Sequence, residues 1–133
     1  MSKATPFLMF QGQAQAALDL YFGIFPESRM LSAERYGKGD PAPEGTIEVA
    51  RFTLCGREFM CSDSPIKHGF AFTPASSILV EFESVDALDR AFMALAEGGQ
   101  VLMPLDDYGC SRRFGWLNDR FGMSWQLTLP LFT

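Results

Sequence analysis

From Ala14 onward the apolar residues Ala14, Ala17, Leu18, Tyr21, Phe22 and Phe25 recur at the i, i+3, i+4, i+7, i+8, i+11 spacing of one helical face. This spacing predicts a helix over about 13–25. Pro26 ends it, because proline has no amide hydrogen to donate and pushes its predecessor out of the α region. A second helix is predicted over about 85–97, with Ser84 as its N-cap, Asp86 in its first turn and Gly98-Gly99 as its stop. The remaining regular segments are short, rich in β-branched or aromatic residues and bounded by Gly, Pro or Asp. They read as strands over 5–10, 29–36, 46–54, 58–61, 77–83, 100–104, 112–118 and 124–129. Within 46–54 the alternation, with Ile47 and Val49 placed on the buried side, indicates a sheet covered on one face. Cys55-Gly56-Arg57 then has the spacing of a hairpin turn. Two loops stand out, 37–45 and 62–74.

Shifting the chain on itself by 71 residues superposes Ala14 on Val85, Ala17 on Leu88, Tyr21 on Phe92 and Phe25 on Ala96. The core faces of the two helices coincide. The same shift carries Phe7, Leu8 and Met9 onto Ile78, Leu79 and Val80, and Met30-Leu31 onto Val101-Leu102. The economical fold is α+β, a pair of βαβββ modules, about 1–65 and 75–133, within one domain of 133 residues. A helix covers one face of each curved mixed sheet, so the other faces are free to meet or to form a cleft.

Composition narrows the class. Apolar residues make up 47% and charged residues 20%, the profile of a folded chain with a sizeable core. Eleven Lys and Arg against sixteen Asp and Glu leave a net charge of −5, the wrong sign for a phosphate backbone or an anionic membrane. No nucleic-acid or membrane partner is expected. The first residues lack a secretory hydrophobic region, and the odd set Cys55, Cys61 and Cys110 suits free thiols, so a cytoplasmic location is expected.

Particular strings go further. Thr5-Pro6-Phe7-Leu8-Met9-Phe10 with Gly12 and Ala14, Tyr21-Phe22-Gly23-Ile24-Phe25-Pro26, Gly56-Arg57-Glu58-Phe59-Met60 and the closing stretch from Gly115 to Gln126 resemble the PhnB-like branch of the vicinal oxygen chelate superfamily. That superfamily includes glyoxalase I, bleomycin-resistance proteins and extradiol dioxygenases. Its plan is the duplicated βαβββ module. Members of this branch often carry the label 3-demethylubiquinone methyltransferase. Such an activity calls for a Gly-rich turn after a first strand to admit S-adenosylmethionine, and the sequence shows no such turn.

Metal-dependent members of the superfamily place His and Glu ligands on inward strand positions. The resemblance puts Thr5, Cys61 or a neighbour, Ser77 and Gln126 at the corresponding places, with neutral Gln126 where a carboxylate is usual. No metal and no cofactor are therefore expected. Cys61, Asp63 and the lone His68 do not match a zinc-binding spacing, and His68 reads as a solvated loop residue. Arg112-Arg113 beside Tyr108 and Trp116 offers a forked donor next to an aromatic wall, or else balances Asp106 and Asp107. The candidate ligand-binding set is Thr5, Cys61, Ser77, Arg113, Trp116 and Gln126, lining an apolar cavity. The expected function is binding or sequestration of a small molecule in the cleft. The alternative is a lyase, isomerase or dioxygenase-type enzyme, with an unusual metal site or with Glu58, Asp63 or His68 as a metal-free catalyst. A homodimer is expected, with Phe70-Ala71-Phe72 and Pro130-Leu131-Phe132 as candidate contacts.

Overall fold

The computed structural model describes residues 1–131. Its element order is β1 (Phe7–Phe10), α1 (Ala14–Ile24), β2 (Arg29–Arg35), β3 (Ile47–Leu54), β4 (Arg57–Asp63), β5 (Ser77–Glu81), α2 (Val85–Ala96), β6 (Gln100–Asp106), β7 (Arg113–Asn118) and β8 (Ser124–Leu129). The chain divides into two compact units, Met1–Gly69 and the part from Phe70 onward. Each unit is a βαβββ module with its own four-stranded sheet, ordered β1-β4-β3-β2 in the first and β5-β8-β7-β6 in the second. In both, the first strand pairs in parallel with the last, and the other neighbours are antiparallel. Phe132, one of the candidate dimer contacts, lies outside the described residues.

In the first unit α1 packs on β3 and β4 through Ala14, Ala17, Leu18 and Tyr21, the face that the 3.6-residue period marks out. Beneath it Phe52 takes Phe22 edge-on at 6.1 Å between ring centroids and stacks with Phe59 at 5.7 Å. The helix stops where Pro26 requires, with Phe25 already extended. In the second unit α2 packs on β7, β8 and β6, burying Leu88, Ala91, Phe92 and Leu95. The Ser84 side chain caps it by accepting from the Ala87 amide.

Several boundaries and faces differ from the sequence expectation. β1 begins at Phe7 rather than Thr5, since Pro6 has no amide for the ladder. β4 runs on to Asp63 because β1 pairs with it as far as the Phe10–Asp63 partners. β6 passes through Pro104 to Asp106, which is tolerated because β6 is an edge strand with irregular register there. The alternation in β3 changes phase: Ile47 is buried, but beyond it the buried positions are Ala50, Phe52 and Leu54, and Val49 lies on the other face. A bulge accounts for this, because Arg35 pairs with Ile47 while Glu34 pairs with Val49, leaving Glu48 as the extra residue. The β3–β4 hairpin is a two-residue turn in which Cys55 and Gly56 both have positive φ, 51° and 80°.

The last predicted stop, Gly98-Gly99, proves to be two different devices. Gly98 takes a left-handed φ of 74° after the helix. Gly99 lies so close to β7 that an added Cβ would run into the Asn118 carbonyl oxygen.

Candidate functional site

Strand parity and register decide which side chains share a face. In the second unit Trp125, Leu127 and Leu129 of β8 are buried on the α2 side. The alternate residues Ser124 and Gln126 therefore face the other way. Gln126 lies between Leu79 of β5 and Trp116 of β7 in the ladder, and Trp116 pairs onward with Met103 of β6. One row across the helix-free face thus reads Leu79, Gln126, Trp116, Met103. Leu79 is 51% exposed and the other three are half-buried.

The polar groups on this face are tied to each other. Gln126 Nε2 donates to Ser77 Oγ at 2.7 Å, and Trp116 Nε1 donates to Ser124 Oγ at 2.8 Å. The first bond fixes the Gln126 amide and leaves its carbonyl oxygen as an acceptor. The second holds the indole in place beside it. The result is a neutral, mostly apolar surface with fixed polar points, the chemistry that orients a small organic ligand.

The turn between β7 and β8 is built around Asp119, which is 3% exposed. Its Oδ1 accepts from the Phe121 and Met123 amides, shaping the β7–β8 turn, and its Oδ2 accepts from Trp125 Nε1 at 2.9 Å. The closing sequence signature therefore combines two jobs. Asp119 and Trp125 hold the fold, while Trp116 and Gln126 point to the face that α2 leaves uncovered.

Three of the six candidates, Ser77, Trp116 and Gln126, come together in this way. Arg113 does not join them, because its partner across the ladder is Leu129, on the helix side, and Arg113 Nε bonds Asp89 of α2 at 2.7 Å. Thr5 lies in the first unit ahead of β1. Cys61, also in the first unit, is fully buried beneath α1, and burial followed by the nearby Asp63 charge pushes its thiol up to about 12. It is a core residue with no access to a ligand. Ser124 escaped the sequence reading, although it stands two residues from Gln126 on the same strand face.

The groups considered for metal-free catalysis are engaged elsewhere. The Glu58 carboxylate accepts from Lys3 and Arg51, which hold it below its ordinary value. Asp63 is 2% exposed and takes the Gly12, Ala14 and Ile47 amides. His68 is half-buried rather than solvated, with Nε2 2.9 Å from Ser64 Oγ. Among the described residues no three His, Cys, Asp or Glu gather where they could hold a metal ion. The places at which the superfamily carries its ligands do not fit one either. Ser77 and Gln126 are neutral and bonded to each other, and Cys61 is enclosed in the core.

The chain matches the 3-demethylubiquinone-9 3-methyltransferase family over residues 2–128. It belongs to that family. A solved PhnB protein from Bacillus cereus is 49% identical, covers 96% of this chain and 99% of its own, and superposes with a TM-score of 0.93. Protein YjdN of Escherichia coli K12 is 26% identical over 138 residues, spanning 94% of this chain and 93% of that protein. The fosfomycin resistance protein FosX of Listeria monocytogenes shares the fold at 11% identity, with a TM-score of 0.65 over 99% of this chain and 95% of its own. The fold is that of the vicinal oxygen chelate superfamily. Among the described residues, no helix of this PhnB-like chain is long and apolar enough to cross a membrane.

Proposed function

We propose that this PhnB-like protein binds and sequesters a small, largely apolar organic molecule on the helix-free face of its second unit, with Trp116 as the apolar platform and Gln126 and Ser77 as polar fixings. The observation that carries this reading is the Gln126–Ser77 bond beside Trp116, which sets a fixed amide within an apolar row. Recognition rests on apolar burial and neutral hydrogen bonding, without a metal. The methyltransferase name of the family is not carried over. Here β1 enters α1 through Gln11-Gly12-Gln13, a turn with one glycine, and the two mixed four-stranded sheets differ from the parallel sheet on which a Gly-rich cofactor turn sits. The binding test is a thermal-shift titration with 1-naphthol, a planar probe with one hydroxyl group. A ligand at a hundred times its dissociation constant adds about 2.7 kcal/mol to stability. A saturable rise in melting temperature that Trp116→Ala abolishes is expected. Absence of a rise, or one that survives Trp116→Ala, contradicts the site. Metal analysis of protein purified without a tag tests the metal-free part, and stoichiometric zinc, manganese or iron contradicts it.

A further inference from the structure

The helix-free face of the first unit carries a cavity of about 260 Å³, lined by Ser32, Glu34, Val49, Arg51 and Met60 together with the backbone at Ala33 and Ala50. Register places the five side chains on one face: Ser32 pairs with Arg51, Glu34 with Val49, and Arg51 with Met60. The ladder is irregular on both sides of the β2 segment that lines the cavity, between Met30 and Ser32 and again between Glu34 and Arg35. Bulges of this kind re-aim side chains and are enriched beside binding sites.

Two opposite charges border the cavity without neutralising each other. Glu34 and Arg51 are diagonal neighbours, a relation that sets Cα atoms about 7 to 8 Å apart. Arg51 instead turns Nη1 to Glu58 at 2.6 Å, which leaves the rest of its five donors for another acceptor. Glu34 has no ion pair or side-chain hydrogen bond among the described residues. Val49, opposite Glu34 in the ladder, and Met60, opposite Arg51, add the apolar lining.

We propose that this cavity is a second ligand site, for a small zwitterion with an apolar side chain, the chemistry of an α-amino acid. The ammonium group pairs with Glu34, the carboxylate takes the unused donors of Arg51, and the side chain lies on Val49 and Met60. All of its residues belong to the first unit, whereas those around Trp116 belong to the second.

The test is a titration of the isotopically labelled full chain with L-leucine, followed by backbone amide NMR shifts. Two probes that each lack one charge, 4-methylpentanoate and isopentylamine, serve as controls. Saturating shifts at Ser32, Glu34, Val49, Arg51 and Met60 are expected, with L-leucine binding about tenfold more tightly than either control, the effect of one charge-assisted contact. Glu34→Gln, an exposed change on an edge strand, should weaken L-leucine by about the same factor while leaving the unliganded spectrum otherwise intact. No saturation in the millimolar range, equal affinity for the three probes, or full affinity in Glu34→Gln would overturn the proposal. So would shifts confined to Ser77, Trp116 and Gln126, which would assign the amino acid to the other face.

Discussion

Replacing Asp63 by alanine removes the one carboxylate that accepts from three amides in two segments of the first unit, the β1–α1 turn and the start of β3. Asp63 Oδ1 accepts from the Gly12 amide at 2.8 Å and the Ala14 amide at 3.0 Å, and Oδ2 accepts from the Ile47 amide at 2.9 Å. The N-cap residue of α1, Gln13, makes no side-chain capping bond, so a carboxylate from the end of β4 does that work across the fold. Asp63 is 2% exposed and Ala14 and Ile47 are fully buried, so water has little access to the two amides of Ala14 and Ile47, while Gly12 lies at the surface. A stranded buried amide costs about 1 to 3 kcal/mol, which brings the two buried ones to about 2 to 6 kcal/mol in total. That is a large share of the ~5 to 15 kcal/mol by which domains are stable, and it corresponds to a fall in melting temperature of about 10 to 25 °C. Urea unfolding gives the magnitude. Hydrogen exchange gives the location: the Ala17 amide, which closes the first turn of α1 on the Gln13 carbonyl, should lose protection before the amides of α2. A loss below about 1 kcal/mol would refute the capping role, as would equal deprotection of both helices.

Further outcomes follow from the same structure. Gly99→Ala should destabilise by several kcal/mol, roughly the upper range for point changes, because the new methyl meets the Asn118 backbone; Gly115→Ala should cost less, since its nearest obstacles are the Phe92 and Leu105 side chains. Comparative chemical denaturation checks the order. The folded state keeps Cys61 protonated up to about 12, against 9.0 for a free thiol, so the unfolded chain ionises first and stability should fall as pH rises from 9 toward 12. Tyr36, raised by burial and by Glu48, Asp63 and Asp40 while its hydroxyl donates to the Asp63 carbonyl, should add to the fall above pH 10; alkaline unfolding curves test both. In native protein a thiol reagent should label Cys110 and Cys55, which are exposed, and reach Cys61 only on unfolding. We also propose a homodimer, for which sedimentation should return twice 14.8 kDa and a monomer mass would contradict it.

The parts of the fold that repeat locally were readable in the chain. The shift of 71 that joins Ala14 to Val85 also carries β2, Arg29–Arg35, onto β6, Gln100–Asp106, residue for residue. Helical spacing, Pro26 and Ser84 act within a few positions of themselves, so their consequences can be seen without the fold. Side-chain direction in the strands was less accessible. It depends on bulges and partners: the bulge at Glu48 reverses the buried side of β3, pairing with Leu129 turns Arg113 toward α2, and pairing with Ala50 of β3 places Cys61 in the core. Asp63 was the least legible, because its amide partners lie 16 to 51 residues away in sequence and no motif joins them. Ser77 and Gln126 were found through resemblance, and only the parallel pairing of β5 with β8 shows why two residues so distant share a bond.

The ligand-binding role of the second unit is tested most directly by following the Trp116 indole N–H and the Gln126 side-chain amide by NMR as 1-naphthol is added. Both signals belong to the helix-free face, and both groups already hold defined partners, Ser124 and Ser77. Binding there predicts that the two signals move together along one saturation curve, while the indole N–H of Trp125, enclosed with Asp119, stays in place. Unmoved Trp116 and Gln126 signals at probe saturation elsewhere, or the absence of any saturable shift, would contradict it.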